Sequence, residues 1–138
     1  MAEKKILIVD DDPDILNLLR HFLIEKDYQV ITTEKAKEVS SIIENEIPDL
    51  VISDILMPDI NGLLLIKELT HKYKGLKILA MSEGGSSDAK DIVASIVLGQ
   101  AMHFGAKYAF QKPIEPKEFL KVIDGVLNDK LDKEEFKT

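Results

Sequence analysis

Short apolar runs alternate along this chain with longer segments in which apolar residues recur at helical spacing. Such alternation is typical of β-α-β units, in which helices join parallel strands and cover the sheet. The first and third runs are apolar without interruption, as expected for central strands that are covered on both faces. The second and fourth contain polar residues and are expected nearer an edge. The five runs predicted to be strands are residues 6–9, 28–31, 50–52, 76–80 and 108–110.

Five segments show the apolar period of amphipathic helices, and their apolar positions are expected to face the core. Those positions include Leu18, Leu64, Ile96 and Met102. Right-handed crossovers in a chain of this size favour a doubly wound, five-stranded parallel sheet with strand order 2-1-3-4-5 and five helices. The segments predicted to be helices are residues 14–26, 35–45, 61–73, 87–104 and 116–127.

Composition and charge limit the classes of protein to which the chain can belong. Its 138 residues, 45% hydrophobic and 31% charged, suit one globular domain. A net charge of -7 disfavours direct binding of nucleic acid. The absence of cysteine excludes disulfides and thiolate metal sites. No stretch approaches the roughly 20 apolar residues of a membrane span, so we expect a cytoplasmic protein without membrane insertion.

Polar residues stand at the carboxyl ends of four predicted strands. Asp10 and Asp11 follow the first strand, Asp54 the third, Ser82 the fourth and Lys112 the fifth. In the order 2-1-3-4-5, ligands bind outside the carboxyl ends, where the first and third strands are neighbours. Carboxylates gathered there repel one another unless a cation compensates them. A thiol-free set of oxygen ligands suits Mg²⁺.

The same residues predict a site that accepts a phosphoryl group. A carboxylate oxygen can attack phosphorus and form an acyl phosphate, which makes Asp54 the candidate nucleophile. Mg²⁺ and Lys112 would then hold the phosphoryl oxygens. Each residue alone has a simpler explanation, because aspartate or serine after a strand often forms a turn or a helix cap. Their joint occurrence at four strand ends favours the phosphoryl site.

Four stretches of the sequence together resemble the receiver domain of two-component response regulators. They are ILIVDDDPDI, PDLVISDILMPDINGLLLIKEL, ILAMSEGG and GAKYAFQKPIEPKEFL. The resemblance covers residues 4–127, so we expect one receiver domain there and a charged C-terminal tail over residues 128–138. It implies a flavodoxin-like version of the fold predicted above.

The resemblance also implies a function and a set of site residues. A sensor histidine kinase or a histidine phosphotransfer protein would phosphorylate Asp54, and the chain would catalyse only its own phosphorylation and dephosphorylation. Phosphorylation would remodel the face of the fourth helix, fifth strand and fifth helix, which a downstream protein target recognises. The implied residues are the Mg²⁺ ligands Asp10, Asp11, Asp54 and the Leu56 carbonyl, the phosphoryl-binding Ser82 and Lys112, and Pro113 after a cis bond.

The position three residues before Lys112 departs from the family's pattern. Receivers carry Tyr or Phe there, whereas this chain has Ala109, with Tyr108 one residue earlier. Successive side chains of a strand point to opposite faces, so Tyr108 cannot replace the missing aromatic ring. The usual aromatic switch is therefore in doubt.

Two further departures concern the surroundings of the site. The segment between Ser82 and Gly105 is longer than usual by about two helical turns, and residues 83–87 are expected to form a mobile lid. Leu56 and Gly84 offer no polar side chain that could orient an attacking water. This predicts slow self-dephosphorylation.

Other functions remain as alternatives. A phosphohydrolase with an aspartate nucleophile needs a carboxylate two residues later, where this chain has Leu56. A flavin carrier is disfavoured because three aspartates replace the glycine-rich loop. A pseudo-receiver that binds proteins without being phosphorylated stays open, as does the choice between a stand-alone receiver and a domain of a longer protein.

Overall fold

The computed structural model describes residues 3–57, 60–83 and 88–128. Seven strands occur in the described part: β1 (Lys5–Val9), β2 (Gln29–Thr33), β3 (Leu50–Asp54), β4 (Leu56–Met57), β5 (Ile60–Asn61), β6 (Lys77–Glu83) and β7 (Tyr108–Lys112). Five of them form one sheet in the order β2-β1-β3-β6-β7. All neighbouring pairs in that sheet are parallel. The predicted α/β fold class is confirmed.

The strand order differs from the prediction only in detail. When only the strands of this sheet are numbered along the chain, they stand in the predicted order 2-1-3-4-5. Two further strands, β4 and β5, form a separate antiparallel pair that was not predicted. Each strand of this hairpin has two residues. A strand that short has no alternation of apolar and polar residues for sequence analysis to detect.

Five α-helices connect the strands: α1 (Pro13–Ile24), α2 (Val39–Glu46), α3 (Gly62–Lys72), α4 (Asp88–His103) and α5 (Pro116–Leu127). The predicted second helix is shorter than expected because a 3-10 turn, Ala36–Glu38, precedes it. The start of α1 is fixed by Asp12, whose side chain accepts a hydrogen bond from the Asp14 N–H at 2.9 Å. The start of α5 is fixed in the same way by Glu115.

The core lies on both faces of the sheet. On one face, residues of α1 and α5 pack against β1, β3 and β6, and on the other face residues of α2, α3 and α4 do so. Every residue from Ile6 to Val9 is fully buried. The uninterrupted apolar run of β1 thus follows from its position at the centre of a sheet that is covered on both sides.

Four apolar residues that were expected to face the core are instead exposed. The exposed fractions are 46% for Leu18, 51% for Leu64, 57% for Ile96 and 44% for Met102. A helix that packs on a sheet buries only one stripe of its surface, and neighbouring residues such as Leu16, Leu65 and Ala101 already fill that stripe. The inward assignment of these four residues was wrong.

The fourth predicted strand corresponds to β6, which lies between β3 and the edge strand β7 and is thus nearer an edge than β3, as expected. Its polar residue Lys77 stands at the start of the strand, where its ammonium group donates a hydrogen bond to the Val126 carbonyl at 2.8 Å. Because Lys77 is the first residue of β6, its side chain can reach α5 beyond the sheet, and an interior strand can therefore begin with a polar residue.

Two predicted features fall largely outside the described residues. They are the lid over residues 83–87, of which only Glu83 belongs to the described chain, and the tail over residues 128–138, of which only Asn128 does. Within the described ranges, no helix has the length and hydrophobicity needed to cross a bilayer.

Candidate functional site

Three predicted carboxylates lie together at the carboxyl edge of the sheet. Asp10 follows β1 and Asp54 ends β3, and these two strands are paired so that Val9 stands opposite Ser53. Asp11 joins them, and each of the three residues offers an oxygen within 4.8 Å of the others. Asp10 is fully buried, Asp54 is 4% exposed, and Asp11 faces solvent. The pairing of strands distant in sequence thus produces one acidic crevice.

The backbone around Asp10 holds its carboxylate in place. The Asp10 N–H donates to the Thr33 carbonyl of the neighbouring strand at 3.2 Å. Its Oδ1 atom accepts a hydrogen bond from the Asp12 N–H at 2.9 Å, which leaves Oδ2 for other partners. These two hydrogen bonds fix the position of the Asp10 backbone and of one carboxylate oxygen.

Lys112 supplies the positive charge of the crevice. It ends β7, and its side chain reaches back to Asp10 and Asp54 at the centre of the sheet. The Nζ atom lies 2.7 Å from Asp10 Oδ2 and 3.4 Å from Asp54 Oδ2. Burial lowers the pKa of Lys112, but the hydrogen bond to Asp10 and the charges of Asp54 and Asp10 outweigh this effect and raise the pKa above 10.5. Lys112 therefore stays protonated while it bridges the two carboxylates.

The surroundings of Asp54 disfavour the charged form of its carboxyl group. Burial raises its pKa from 3.8 to about 6, while the charge of Lys112 opposes the rise and that of Asp10 adds to it. The Leu56 N–H donates a hydrogen bond to Asp54 Oδ1 at 3.3 Å, which favours the charged form. A buried carboxylate that is nevertheless ionised near neutral pH is a reactive group, because water solvates it poorly.

Ser82 brings a hydroxyl group to the same edge of the sheet. It follows Met81, which stands opposite Asp54 in the pairing of β3 with β6. Its side chain is fully buried, and its Oγ atom has no hydrogen-bond partner in the part of the chain that the structure describes. An unpartnered buried hydroxyl costs free energy, so its presence marks a place where another polar group could bind.

The three carboxylates are compatible with a site for a divalent metal ion. Three carboxylates with convergent oxygens are the hard ligands that Mg²⁺ prefers, and the exposure of Asp11 leaves room for water in the coordination shell. The predicted fourth ligand, the Leu56 carbonyl, belongs to the residue whose N–H contacts Asp54. Its role as a ligand stays a prediction. The predicted cis bond between Lys112 and Pro113 is confirmed.

Gly62 is a residue of the site that sequence analysis missed. Its N–H donates to the Ile55 carbonyl at 3.1 Å, and the Ile55 N–H donates to Met81 of the adjacent strand at 2.9 Å. A Cβ atom on Gly62 would overlap the backbone of Ile55, the residue directly after Asp54. The Asn-Gly pair at the start of the third predicted helix was the signal that could have indicated this close approach.

The strand that carries Lys112 also shows the predicted separation of Tyr108 from Ala109. Tyr108 packs with Phe110 on the face covered by α5, whereas Ala109 contacts the opposite cluster. The Tyr108 hydroxyl donates a hydrogen bond to Glu118 of α5 at 2.6 Å. Burial, followed by this hydrogen bond, raises the pKa of Tyr108 to about 12. Tyr108 therefore links β7 to α5 on the face of the sheet opposite to Ala109.

Comparison with known proteins identifies the family to which the chain belongs. Residues 6–124 match the response regulator receiver domain. The chain is 32% identical over 123 residues to an uncharacterised 14.6 kDa protein of Leptolyngbya boryana, with 89% of each chain covered. It is 33% identical over 124 residues to the alkaline phosphatase synthesis transcriptional regulatory protein PhoP of Bacillus subtilis, covering 90% of this chain and 48% of PhoP. The chain thus spans about half the length of PhoP and of other curated response regulators that it matches.

Solved structures agree with the sequence comparison. A CheY-like receiver domain protein from Methanospirillum hungatei superposes with a TM-score of 0.78 and 30% identity, covering 93% of this chain and 96% of that chain. A receiver domain of Klebsiella pneumoniae RstA superposes with a TM-score of 0.73 and 27% identity, covering 90% and 98% of the two chains. Because the family pattern extends over most of the sequence, the chain belongs to the response regulator receiver domain family of two-component systems.

Proposed function

We propose that this chain is a phosphoacceptor signalling domain in which Asp54 receives a phosphoryl group from the phosphohistidine of a sensor kinase or a phosphotransfer protein. The observation that carries the proposal is the bridge of Lys112 to both Asp10 and Asp54, two carboxylates that are almost fully buried. A purely structural salt bridge needs one carboxylate, whereas this crevice collects three. The surplus negative charge favours a divalent cation, which can in turn attract the oxygens of a phosphoryl group.

The covalent step is a transfer between two nucleophiles. An Asp54 carboxylate oxygen attacks phosphorus and forms a P–O bond, while the P–N bond of the donor breaks and its electron pair returns to the imidazole nitrogen. Lys112 can pair with one phosphoryl oxygen, and the unpartnered Ser82 hydroxyl can donate a hydrogen bond to another. These residues hold the group in place, and the chain catalyses no reaction on a separate substrate.

We assign the metal site to Asp10, Asp11, Asp54 and the Leu56 carbonyl, with Mg²⁺ as the ion. When bound, Mg²⁺ supplies positive charge that neutralises the phosphoryl oxygens as the bond to phosphorus is exchanged. The convergent oxygens of the three carboxylates support this assignment. Asp10 is already held by backbone hydrogen bonds, so little reorganisation would accompany binding.

The proposed consequence of phosphorylation is a change in protein binding. The proposed receiver domain extends over residues 4–127, in the cytoplasm with the partner kinase, and contacts a downstream protein without touching nucleic acid itself. Phosphorylation would draw Lys112 toward the phosphoryl group, and β7 would transmit this movement to α5 through the Tyr108–Glu118 hydrogen bond. The face of α4, β7 and α5 would respond, although Ala109 offers no ring that could rotate there.

Intact-mass spectrometry after incubation with acetyl phosphate tests the proposal. We expect one phosphoryl adduct on the wild-type chain with Mg²⁺, little without Mg²⁺, and none on Asp54→Asn. Asp27→Asn, which changes an exposed aspartate far from the crevice in sequence, is the matched control and should be modified like wild type. No adduct under any condition would favour the pseudo-receiver, in which the crevice has another use.

A further inference from the structure

The pair Asn61–Gly62 places a reactive amide group at the start of α3. In such a pair the glycine nitrogen can attack the carbonyl carbon of the asparagine side chain, because glycine has no Cβ atom that would obstruct the approach. Asn61 is exposed, so water can reach its side chain. No other asparagine of the chain precedes a glycine; the others are Asn17, Asn45 and Asn128.

Hydrogen bonds of the folded chain occupy both groups that this reaction would use. Asn61 Oδ1 accepts hydrogen bonds from the Leu63 N–H at 3.0 Å and the Leu64 N–H at 3.4 Å, which fix the orientation of the amide. The Gly62 N–H donates to the carbonyl of buried Ile55 at 3.1 Å. A nitrogen held in this way does not give up its proton to a base in solution, so the start of α3 must open before the reaction can begin.

The elements that hold this pair closed are short. In the hairpin of β4 and β5, Leu56 stands opposite Asn61 and Met57 opposite Ile60, and the pairing extends no further. A two-stranded hairpin is at best marginally stable by itself. Such an element opens at a smaller cost in free energy than the whole fold, so Gly62 can become accessible while the core on both faces of the sheet stays intact.

We propose that Asn61 is a site of spontaneous deamidation, which proceeds when the hydrogen bond between Gly62 and Ile55 opens locally. The Gly62 nitrogen forms a bond to Asn61 Cγ and loses its proton, while the bond from Cγ to Nδ2 breaks and ammonia leaves. Water then opens the five-membered imide. Attack of water at Cγ gives aspartate, whereas attack at the main-chain carbonyl carbon gives isoaspartate, in which the main chain runs through the former side chain.

The two products have different consequences for the backbone beside Asp54. Aspartate at position 61 keeps the helix cap, because its carboxylate accepts the same N–H groups and is favoured at a helix N-terminus. Isoaspartate lengthens the main chain by one carbon atom and moves Gly62 relative to Ile55, the residue directly after Asp54. We expect isoaspartate to slow phosphorylation of Asp54. This effect rests on the function proposed above, whereas the deamidation itself does not.

Incubation of the wild-type chain in mildly alkaline buffer, with and without guanidinium chloride, tests the modification. Peptide mass spectrometry should show aspartate and isoaspartate replacing Asn61, while Asn17, Asn45 and Asn128 stay unchanged. Conversion in denaturant should be at least about tenfold faster than in the folded chain, because no local opening is then required. An intact Asn61 in both conditions, equal rates in both, or earlier conversion of another asparagine would overturn the proposal.

Two variants distinguish local opening from global unfolding as the step that permits the reaction. Met57 of β4 and Leu127 of α5 are each 6% exposed, so Met57→Ala and Leu127→Ala should both destabilise the chain. Only Met57→Ala weakens the hairpin that holds Asn61, and it alone should deamidate faster than wild type without denaturant. Equal acceleration in both variants would show that global unfolding is required and would contradict the proposal.

Phosphorylation by acetyl phosphate, followed by intact mass, tests the expected effect on Asp54. Chromatographic fractions that contain isoaspartate at position 61 should accept the phosphoryl group more slowly than fresh wild type, whereas Asn61→Asp should accept it like wild type. Equal rates for the isoaspartyl fraction and Asn61→Asp would overturn this effect. A fresh wild-type chain that accepts no phosphoryl group would instead overturn the function proposed for Asp54, and isoaspartate would still be expected at position 61.

Discussion

Folding disfavours the charged form of the Asp54 carboxyl group. Its pKa rises from 3.8 to about 6 on folding, mainly because of burial. Between these two pH values the folded chain binds more protons than the unfolded chain, so its stability falls as pH rises through that window. Below the window the carboxyl is neutral in both states and has no such effect. The charged crevice is therefore costly near neutral pH, as expected for a site built to bind cations and phosphate.

Asp54→Asn should stabilise the metal-free chain at pH 7. The full pKa shift corresponds to about 3 kcal/mol, and screening by water at the crevice reduces the expected gain to about 1–2 kcal/mol. Lys112 keeps its closer partner Asp10 in the variant. Urea unfolding at pH 7 and pH 4 measures the effect, which should shrink at the lower pH. Asp27→Asn, at a left-handed position that Asn accepts, is the control. A lower stability of Asp54→Asn at pH 7 would contradict this account.

Lys112→Met should have the opposite effect in the absence of metal. Removing the ammonium group leaves Asp10 and Asp54 buried without a cation, at a cost of about 2–4 kcal/mol. Mg²⁺ should then raise the melting temperature of the variant more than that of wild type, because the ion replaces the missing charge. Thermal unfolding with and without Mg²⁺ measures this. Lys5→Met, which removes a partly exposed pair with Glu46, should cost much less. Equal Mg²⁺ effects in Lys112→Met and wild type would refute the idea.

Leu56 follows Asp54 by two residues, and in the proposed function its side chain would flank the water that attacks the acyl phosphate. It is 53% exposed and offers no polar atom. We expect the phosphorylated chain to persist for many minutes and Leu56→Asn to shorten its lifetime, since an amide can orient an attacking water. Loss of the adduct with time, followed by intact mass after removal of the donor, measures both rates. Decay of the wild-type adduct within seconds would show that water is oriented by another group.

At the scale of elements, the contact between α3 and β3 fixes the backbone beside Asp54. Gly62→Ala should destabilise the chain by about 2 kcal/mol or more, because its Cβ would overlap the backbone of Ile55. Phosphorylation by acetyl phosphate should also slow as Asp54 shifts. Gly99→Ala is the matched control, since its Cβ meets nothing and alanine should stabilise α4 by about 0.5–1 kcal/mol. Equal unfolding midpoints for the two variants would contradict the proposed contact.

The elements also show what sequence patterns can and cannot predict. The strands and helices of the sheet were predictable because apolar runs and helical periods report burial directly. The orientation of residues such as Ile96 and Leu64 was not, because α4 and α3 contain more apolar residues than their buried stripes hold. The hairpin of β4 and β5 escaped detection because two-residue strands follow from the turn after Asp54 and not from periodicity.

At the scale of the whole molecule, strand order turns separate sequence signals into one site. The placement of Asp10, Asp54 and Lys112 at strand ends was visible in the sequence, and parallel pairing brings them together. The closer approach of Lys112 to Asp10 than to Asp54 could not be predicted, since it depends on how a long side chain crosses β6. The Tyr108–Glu118 link was equally hidden, because it joins residues of different elements.

In the proposed function Asp54, and not another carboxylate of the crevice, accepts the phosphoryl group. Borohydride reduction of the phosphorylated chain, followed by peptide mass spectrometry, tests this most directly, because an aspartyl phosphate is reduced to homoserine where it formed. We expect homoserine at position 54 and unchanged aspartate at positions 10 and 11. Homoserine at Asp10 or Asp11, or at no position in a chain that carries the adduct, would contradict it.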